Sequence, residues 1–191
     1  MVYVRFFSCV CDTHCLNIFV NGELVAKGLK CGGFSHFHRA KAGVYHIKAA
    51  SYNAESSFVF EDLIGLLDET TYTLALTGSA MHPVLSVISY SAHQAPAMRL
   101  PNVRFASLLP GDVAVRINID GHFLEESLLS GDASDVCTIA EGRHKFMVCD
   151  IGGNIILQTT MDIAPQGNYL GVICVNQAKL YLHLAPNLPV L

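Results

Sequence analysis

The sequence predicts an all-β protein of two tandem immunoglobulin-like β-sandwich units related by internal duplication, and three observations carry that prediction. The first is a repeat: Val4–Gly22 (VRFFSCVCDTHCLNIFVNG) and Val103–Gly121 (VRFASLLPGDVAVRINIDG) follow one plan without a gap. Val4/Val103, Arg5/Arg104, Phe6/Phe105, Ser8/Ser107, Ile18/Ile117 and Gly22/Gly121 each stand 99 residues apart, and Leu29/Leu128, Gly32/Gly131, Ser35/Ser134 and Gly43/Gly142 keep the same spacing downstream. A fixed period held that long marks copies of one unit. The second is hydrophobic alternation of period two in short runs, with no long stretch of the 3.6 period of a helix. The third is turn chemistry, since Asn21-Gly22 and Asp120-Gly121 are the dipeptides that best close a tight hairpin.

The elements follow in order. Tyr3–Phe7 and Leu16–Val20 read as strands, Glu23–Ala26 returns after the Asn21-Gly22 turn, and Gly28 to Gly33 loosens the backbone. Ser35–Arg39 reads as a strand with Ser35, Phe37 and Arg39 on one face. Val44–Ala50, Phe58–Leu63, Tyr72–Leu76 and Val84–Ser89 complete the first unit. The second repeats the programme with Val103–Ser107, Val113–Ile119, Lys145–Cys149, Ile155–Ile163, Tyr169–Val175 and Lys179–Leu184. Seven or so short strands per unit suit a sandwich, although the Cys…Trp…Cys signature of antibody domains is absent because the chain has no Trp. The stretch SAHQAPAMRLPN, with Pro96 and Pro101, lacks alternation and places the boundary, giving units 1–95 and 96–191. A short connector with two prolines is semi-rigid, so Met98 and Leu100 are expected to find cover. Ile18, Val20, Ile47 and Tyr72 are expected in the first core, matched by Ile117, Ile119, Phe146 and Tyr169 in the second. Tyr72 and Tyr169 stand only 97 apart, so the second copy is two residues shorter between Ala50 and Tyr72, within a loop.

Composition narrows the function classes. The 191 residues are 51% hydrophobic, which supplies a core for each unit without staples. Twelve Lys+Arg against sixteen Asp+Glu give a net charge of −4, without a basic stripe, which argues against nucleic acid as a partner. No run of apolar residues is long enough for a membrane helix, and Met1 to Arg5 leads straight into the first strand without a signal-peptide pattern. Seven cysteines, an odd number, fit reduced thiols better than a disulfide framework and favour the cytoplasm.

Taken together, Val4-Arg5, Asp12, Leu16 to Gly22 and Ala42-Gly43-Val44-Tyr45 in the first copy resemble the bacterial domain-of-unknown-function family 4397. In the second copy Val103-Arg104, Pro110, Ile117 to Gly121 and Glu141-Gly142 carry the same likeness. The resemblance implies tandem β-sandwich units and, because members are often secreted or surface-attached, a location outside the cytoplasm. The chain departs from the family pattern in the loop Ser8-Cys9-Val10-Cys11-Asp12-Thr13-His14.

That loop is the one local concentration of reactive residues: Cys9, Cys11, His14 and Cys15 supply four soft ligands within seven positions. Zinc takes four such ligands, but structural sites draw pairs of C-x₂₋₄-C spacing from two segments, and C-x-C followed by H-C is off that pattern. The competing reading buries Cys9 and Cys15 as small hydrophobes, with Cys11 and His14 on a solvated loop. The second copy has Leu108, Pro110, Val113 and Ala114 there, so the fold does not need the thiols. Cys31 is a possible extra ligand, and His36 with His38 would share a strand face. Cys31, Cys137, Cys149 and Cys174 are otherwise expected to pack in the core.

No nucleophile elbow, phosphate loop, metalloprotease helix or dinucleotide fingerprint is present. Cys11 or Cys15 beside His14 lacks the separately oriented base a thiol hydrolase needs. Glu61-Asp62 and Glu125-Glu126 are adjacent, so on strands they point to opposite faces and cannot share a proton. Asp150 to Asn154 lacks the spaced carboxylates of a calcium loop. The expectation is therefore a non-enzymatic structural or interaction module without cofactor, whose partner is an unknown protein or surface polymer. The alternative is a metal-binding or thiol redox-responsive module, with zinc, on the Cys9–Cys15 loop.

Overall fold

The computed structural model describes residues 1–10, 12, 15–52, 58–91, 100–176 and 179–187, and among them every regular element is a strand. The chain divides into two compact units, Met1–His93 and Gln94–Leu191. The first holds β1 (Val2–Ser8), β2 (Cys15–Val20), β3 (Glu23–Lys30), β4 (His38–Ala40), β5 (Gly43–Ser51), β6 (Phe58–Leu66), β7 (Thr70–Gly78) and β8 (Pro83–Ser91). They form two four-stranded sheets, ordered β4-β1-β7-β8 and β3-β2-β5-β6. β1 and β7 run parallel, which five intervening strands allow, and Phe6 lies opposite Leu74.

The alternation read in the sequence is what closes the sheets on each other. Val4 and Phe6 from β1 and Leu74 and Leu76 from β7 meet Leu16 and Ile18 from β2 and Ile47 from β5 in one core. Burying each such side chain contributes roughly 1.5–3 kcal/mol. Asn21 and Gly22 both take positive φ, 49° and 86°, as a tight hairpin between β2 and β3 requires. The Asn21 side chain then accepts the His46 amide at 2.9 Å, fixing that turn to β5.

The second unit holds β9 (Asn102–Ser107), β10 (Val115–Ile119), β11 (His122–Leu128), β12 (Cys137–Thr138), β13 (Gly142–Cys149), β14 (Ile155–Ile163), β15 (Asn168–Asn176) and β16 (Lys179–Pro186). Its sheets are ordered β12-β9-β15-β16 and β11-β10-β13-β14, the order of the first unit with every label raised by eight. Asp120 and Gly121 take φ 51° and 95°, and Asp120 accepts the Lys145 amide at 2.8 Å. Ser35 and Ser134 accept the amides of Phe6 and Phe105 at 2.8 and 3.0 Å. Tyr72 and Tyr169 each accept, at 2.9 Å, the amide of the residue five positions earlier, Leu67 and Ala164. Residues 51–57 join the paired Ala50 and Phe58, while residues 150–154 join Cys149 and Ile155, so the two-residue difference falls in this connection.

Of the eight expected core positions, Ile18, Ile47, Tyr72, Ile117, Ile119 and Phe146 are buried, and Val20 and Tyr169 pack half-buried against the same clusters. Other expectations need correction. Among the described residues each unit has eight strands, close to the seven or so expected, but β1 and β2 sit in opposite sheets, whereas the first two strands of an immunoglobulin domain share one. β3 runs on through Gly28, which holds φ 65° while its amide bonds to Asn17 Oδ1 at 2.9 Å, so a glycine expected to end the strand only distorts it. β4 is three residues long and excludes His36, because the chain before it meets β1 at the isolated Phe34–Phe7 bridge and through Ser35, not in a continuous ladder. β10 begins at Val115, leaving Val113 exposed. β11 and β12 went unread, since HFLEESL does not alternate cleanly and two residues make no pattern. Leu100 is 52% exposed rather than covered, and Met98 lies outside the described residues.

Candidate functional site

The Cys9–Cys15 loop leaves the end of β1. Cys9 is buried, its amide donating to the Leu76 carbonyl at 2.7 Å, and Cys15 opens β2 half-buried opposite Lys30. Neither sulfur is in a disulfide. Asp12 between them accepts the Ala80 amide on both carboxylate oxygens, at 2.8 and 3.0 Å, tying the loop to the end of β7. Cys11 and His14 lie outside the described residues. Among the described residues, no three His, Cys, Asp or Glu side chains are placed to hold one metal ion.

Cys31 is disulfide-bonded, and Cys9, Cys15, Cys137, Cys149 and Cys174 are in no disulfide. This corrects two expectations. A sulfur held in a disulfide is not the thiolate that zinc takes, so Cys31 is no extra ligand, and the chain is not wholly reduced. Cys149 and Cys174 are buried as expected. Cys137 is half-buried on β12, where burial pushes its thiol above the ordinary range and so away from reactivity.

Several of the described carboxylates serve turns and exposed pairs. Glu61 meets Lys48 at 3.1 Å and His46 at 2.7 Å on the open face, and that contact with Lys48 holds it below the usual carboxylate range. Asp62 accepts the amide of Leu63 at 2.7 Å. Asp150 accepts both the backbone and side-chain nitrogens of Asn154 at 2.8 Å, closing the β13–β14 hairpin. Asp120 also meets the His144 ring at 2.5 Å, while the other ring nitrogen faces the Ala140 carbonyl at 2.9 Å. With both nitrogens engaged, that ring is a brace and has no free position for proton transfer to a substrate.

Side chains from several strands line a hollow of about 420 Å³ inside the first unit. Its floor is Phe6, Ile47, Ile64 and Leu74, and its mouth carries Glu23 and Arg39, both exposed. It lies between the sheets, toward the edge strands β3 and β4. His38 borders this hollow and a second one of about 440 Å³ along β3. His36, its expected companion, is exposed and borders only the second. His38 Nε2 is buried and has no hydrogen-bond partner. Burial first, and the neighbouring His36 second, lower the His38 pKa and favour its neutral form. Ninety-nine residues on from Ile47 the second unit has the larger Phe146.

The architecture defines an all-β, sandwich-like protein. The chain belongs to the family described as Domain of unknown function (DUF4397), whose sequence profile matches residues 2–99. No curated protein matches it. Among solved structures it is similar to that of a "putative cell adhesion protein" from Bacteroides uniformis ATCC 8492, at 11% identity and a TM-score of 0.27, with 96% of this chain and 95% of that chain covered. At that TM-score the likeness carries no argument about function.

Proposed function

We propose that the chain is a non-enzymatic structural or binding module, made by internal duplication of one eight-stranded unit, with its domains at 1–95 and 96–191. It is immunoglobulin-like in its two-layer build while keeping its own strand order. The observation that carries the reading is how the polar side chains are used. Ser35, Tyr72 and Asn21 in the first unit, and Ser134, Tyr169 and Asp120 in the second, each accept a backbone amide at corresponding places. Groups that could act as nucleophile or base are thereby engaged in holding the fold, and each unit does it in the same way. The recurrence supports duplication, and the engagement supports a module that presents a surface to a protein or surface-polymer partner.

The disulfide at Cys31 bears on location, because such bonds persist in oxidising compartments. We place the protein at or outside the cell surface rather than in the cytoplasm. The competing reading, a zinc or redox module on Cys9, Cys11, His14 and Cys15 without a resident cofactor elsewhere, is separated by metal analysis of protein purified without chelators. Zinc well below one per chain, unchanged by His14→Ala, is the expected result. Stoichiometric zinc that is lost in His14→Ala, with several degrees of melting temperature, would overturn the structural reading.

A further inference from the structure

We propose that the hollow between the sheets of the first unit is a binding site for a compact, largely apolar molecule carrying one uncharged hydrogen-bonding group, which His38 Nε2 engages. The volume, about 420 Å³, falls within the range of small-molecule pockets. Its floor of Phe6, Ile47, Ile64 and Leu74 offers no hydrogen bond, so hydroxyl groups seated against that floor would lose their hydration without return. Of the buried polar atoms without a partner among the described residues, His38 Nε2 alone belongs to the lining, and it marks where one polar group of the occupant belongs. Glu23 and Arg39 at the mouth oppose each other in sign, and Arg39 bonds to the Met1 sulfur rather than to a carboxylate. The entrance thus favours neither an anion nor a cation.

The second unit lines the corresponding place with different side chains. Phe146 replaces Ile47 and is fully buried, with its ring centroid 6.0 Å from that of Phe105, the counterpart of Phe6. Met161 stands for Ile64, and Cys137, a far weaker hydrogen-bonding group, replaces His38. Phe146 is larger than Ile47, whereas Gly171, opposite Phe105 as Leu74 is opposite Phe6, carries no side chain, so the second unit shares out this space differently and has no imidazole there.

The proposal rests on reading the chain as a binding module, and the experiment tells the two apart. The whole chain, with methyl-labelled Ile, Leu and Val, is titrated by NMR with 1-octanol, n-octane and glucose. Expected are saturable shifts confined to Val20, Ile47, Ile64 and Leu74 with 1-octanol, weaker binding of n-octane by about three- to tenfold, and none with glucose. His38→Phe should remove the preference for the alcohol while keeping the hydrocarbon. Ile47→Phe, the residue the second unit has there, should abolish binding of both while leaving the methyl spectrum of the second unit unchanged; Ile64→Phe serves if that variant does not fold. Shifts that never saturate or scatter over the surface, binding undiminished in the filled variant, or a water on His38 with no probe entering would each overturn the site. Those outcomes leave the module reading intact, since a surface partner needs no hollow, whereas stoichiometric zinc would overturn the module reading without touching the hollow.

Discussion

Tyr72 and Tyr169 hold the turns five residues behind them, each hydroxyl accepting an amide from the chain entering its strand. Tyr72→Phe and Tyr169→Phe keep the ring and delete only that acceptor. Each should cost about 1–2 kcal/mol of stability, read from denaturant unfolding of the whole chain. Asp120 tests the electrostatics of the matching turn. The Lys145 amide, and after it His144, hold its carboxyl below the ordinary aspartate range. A carboxylate depressed in the folded state binds its proton less readily than when unfolded. Its stabilisation is therefore complete above the ordinary value of about 3.9 and is lost as pH falls through the folded value. The first unit already uses Asn21 at this place, so Asp120→Asn should keep the turn and reduce the acid sensitivity of the second unit below about pH 4. Thermal melts from pH 6 to 3 decide it, and an unchanged pH profile would show that the pair is immaterial.

At the scale of the element, hairpins were the most legible feature. Asn21-Gly22 and Asp120-Gly121 lie on the turns read from them, because positive φ at two successive residues is a local steric demand. An added Cβ at Gly22 or Gly121 would meet no atom within 4 Å, so substitution there probes backbone strain alone. Gly22→Ala and Gly121→Ala should each lose about 1–2 kcal/mol, and nearly equally. A loss in only one unit would mean that the two turns are not held alike. Strand edges were less legible. β4 and β12 are short edge strands paired to β1 and β9, and their extent depends on how a distant partner fixes the chain before them.

For the whole molecule, thiol chemistry gives the sharpest check. Thiol titration under denaturing conditions should rise by two on reduction, as a disulfide at Cys31 requires. Reduction should also lower stability by about 2–4 kcal/mol, confined to the transition of the first unit; a melt indifferent to reductant would remove that bond from the account. What the sequence by itself determined here was local and periodic: the all-β class, the 99-residue repeat, the hairpin turns and most inward-facing residues, since these follow from side-chain alternation and backbone sterics. The tertiary structure decided the rest. Sheet order follows from which strands meet after long excursions, and so does the parallel pairing of β1 with β7. The state of Cys31 and the hollow beside His38 are also consequences of packing, because each depends on residues far apart in the chain being brought together, and no spacing in the sequence encodes that distance.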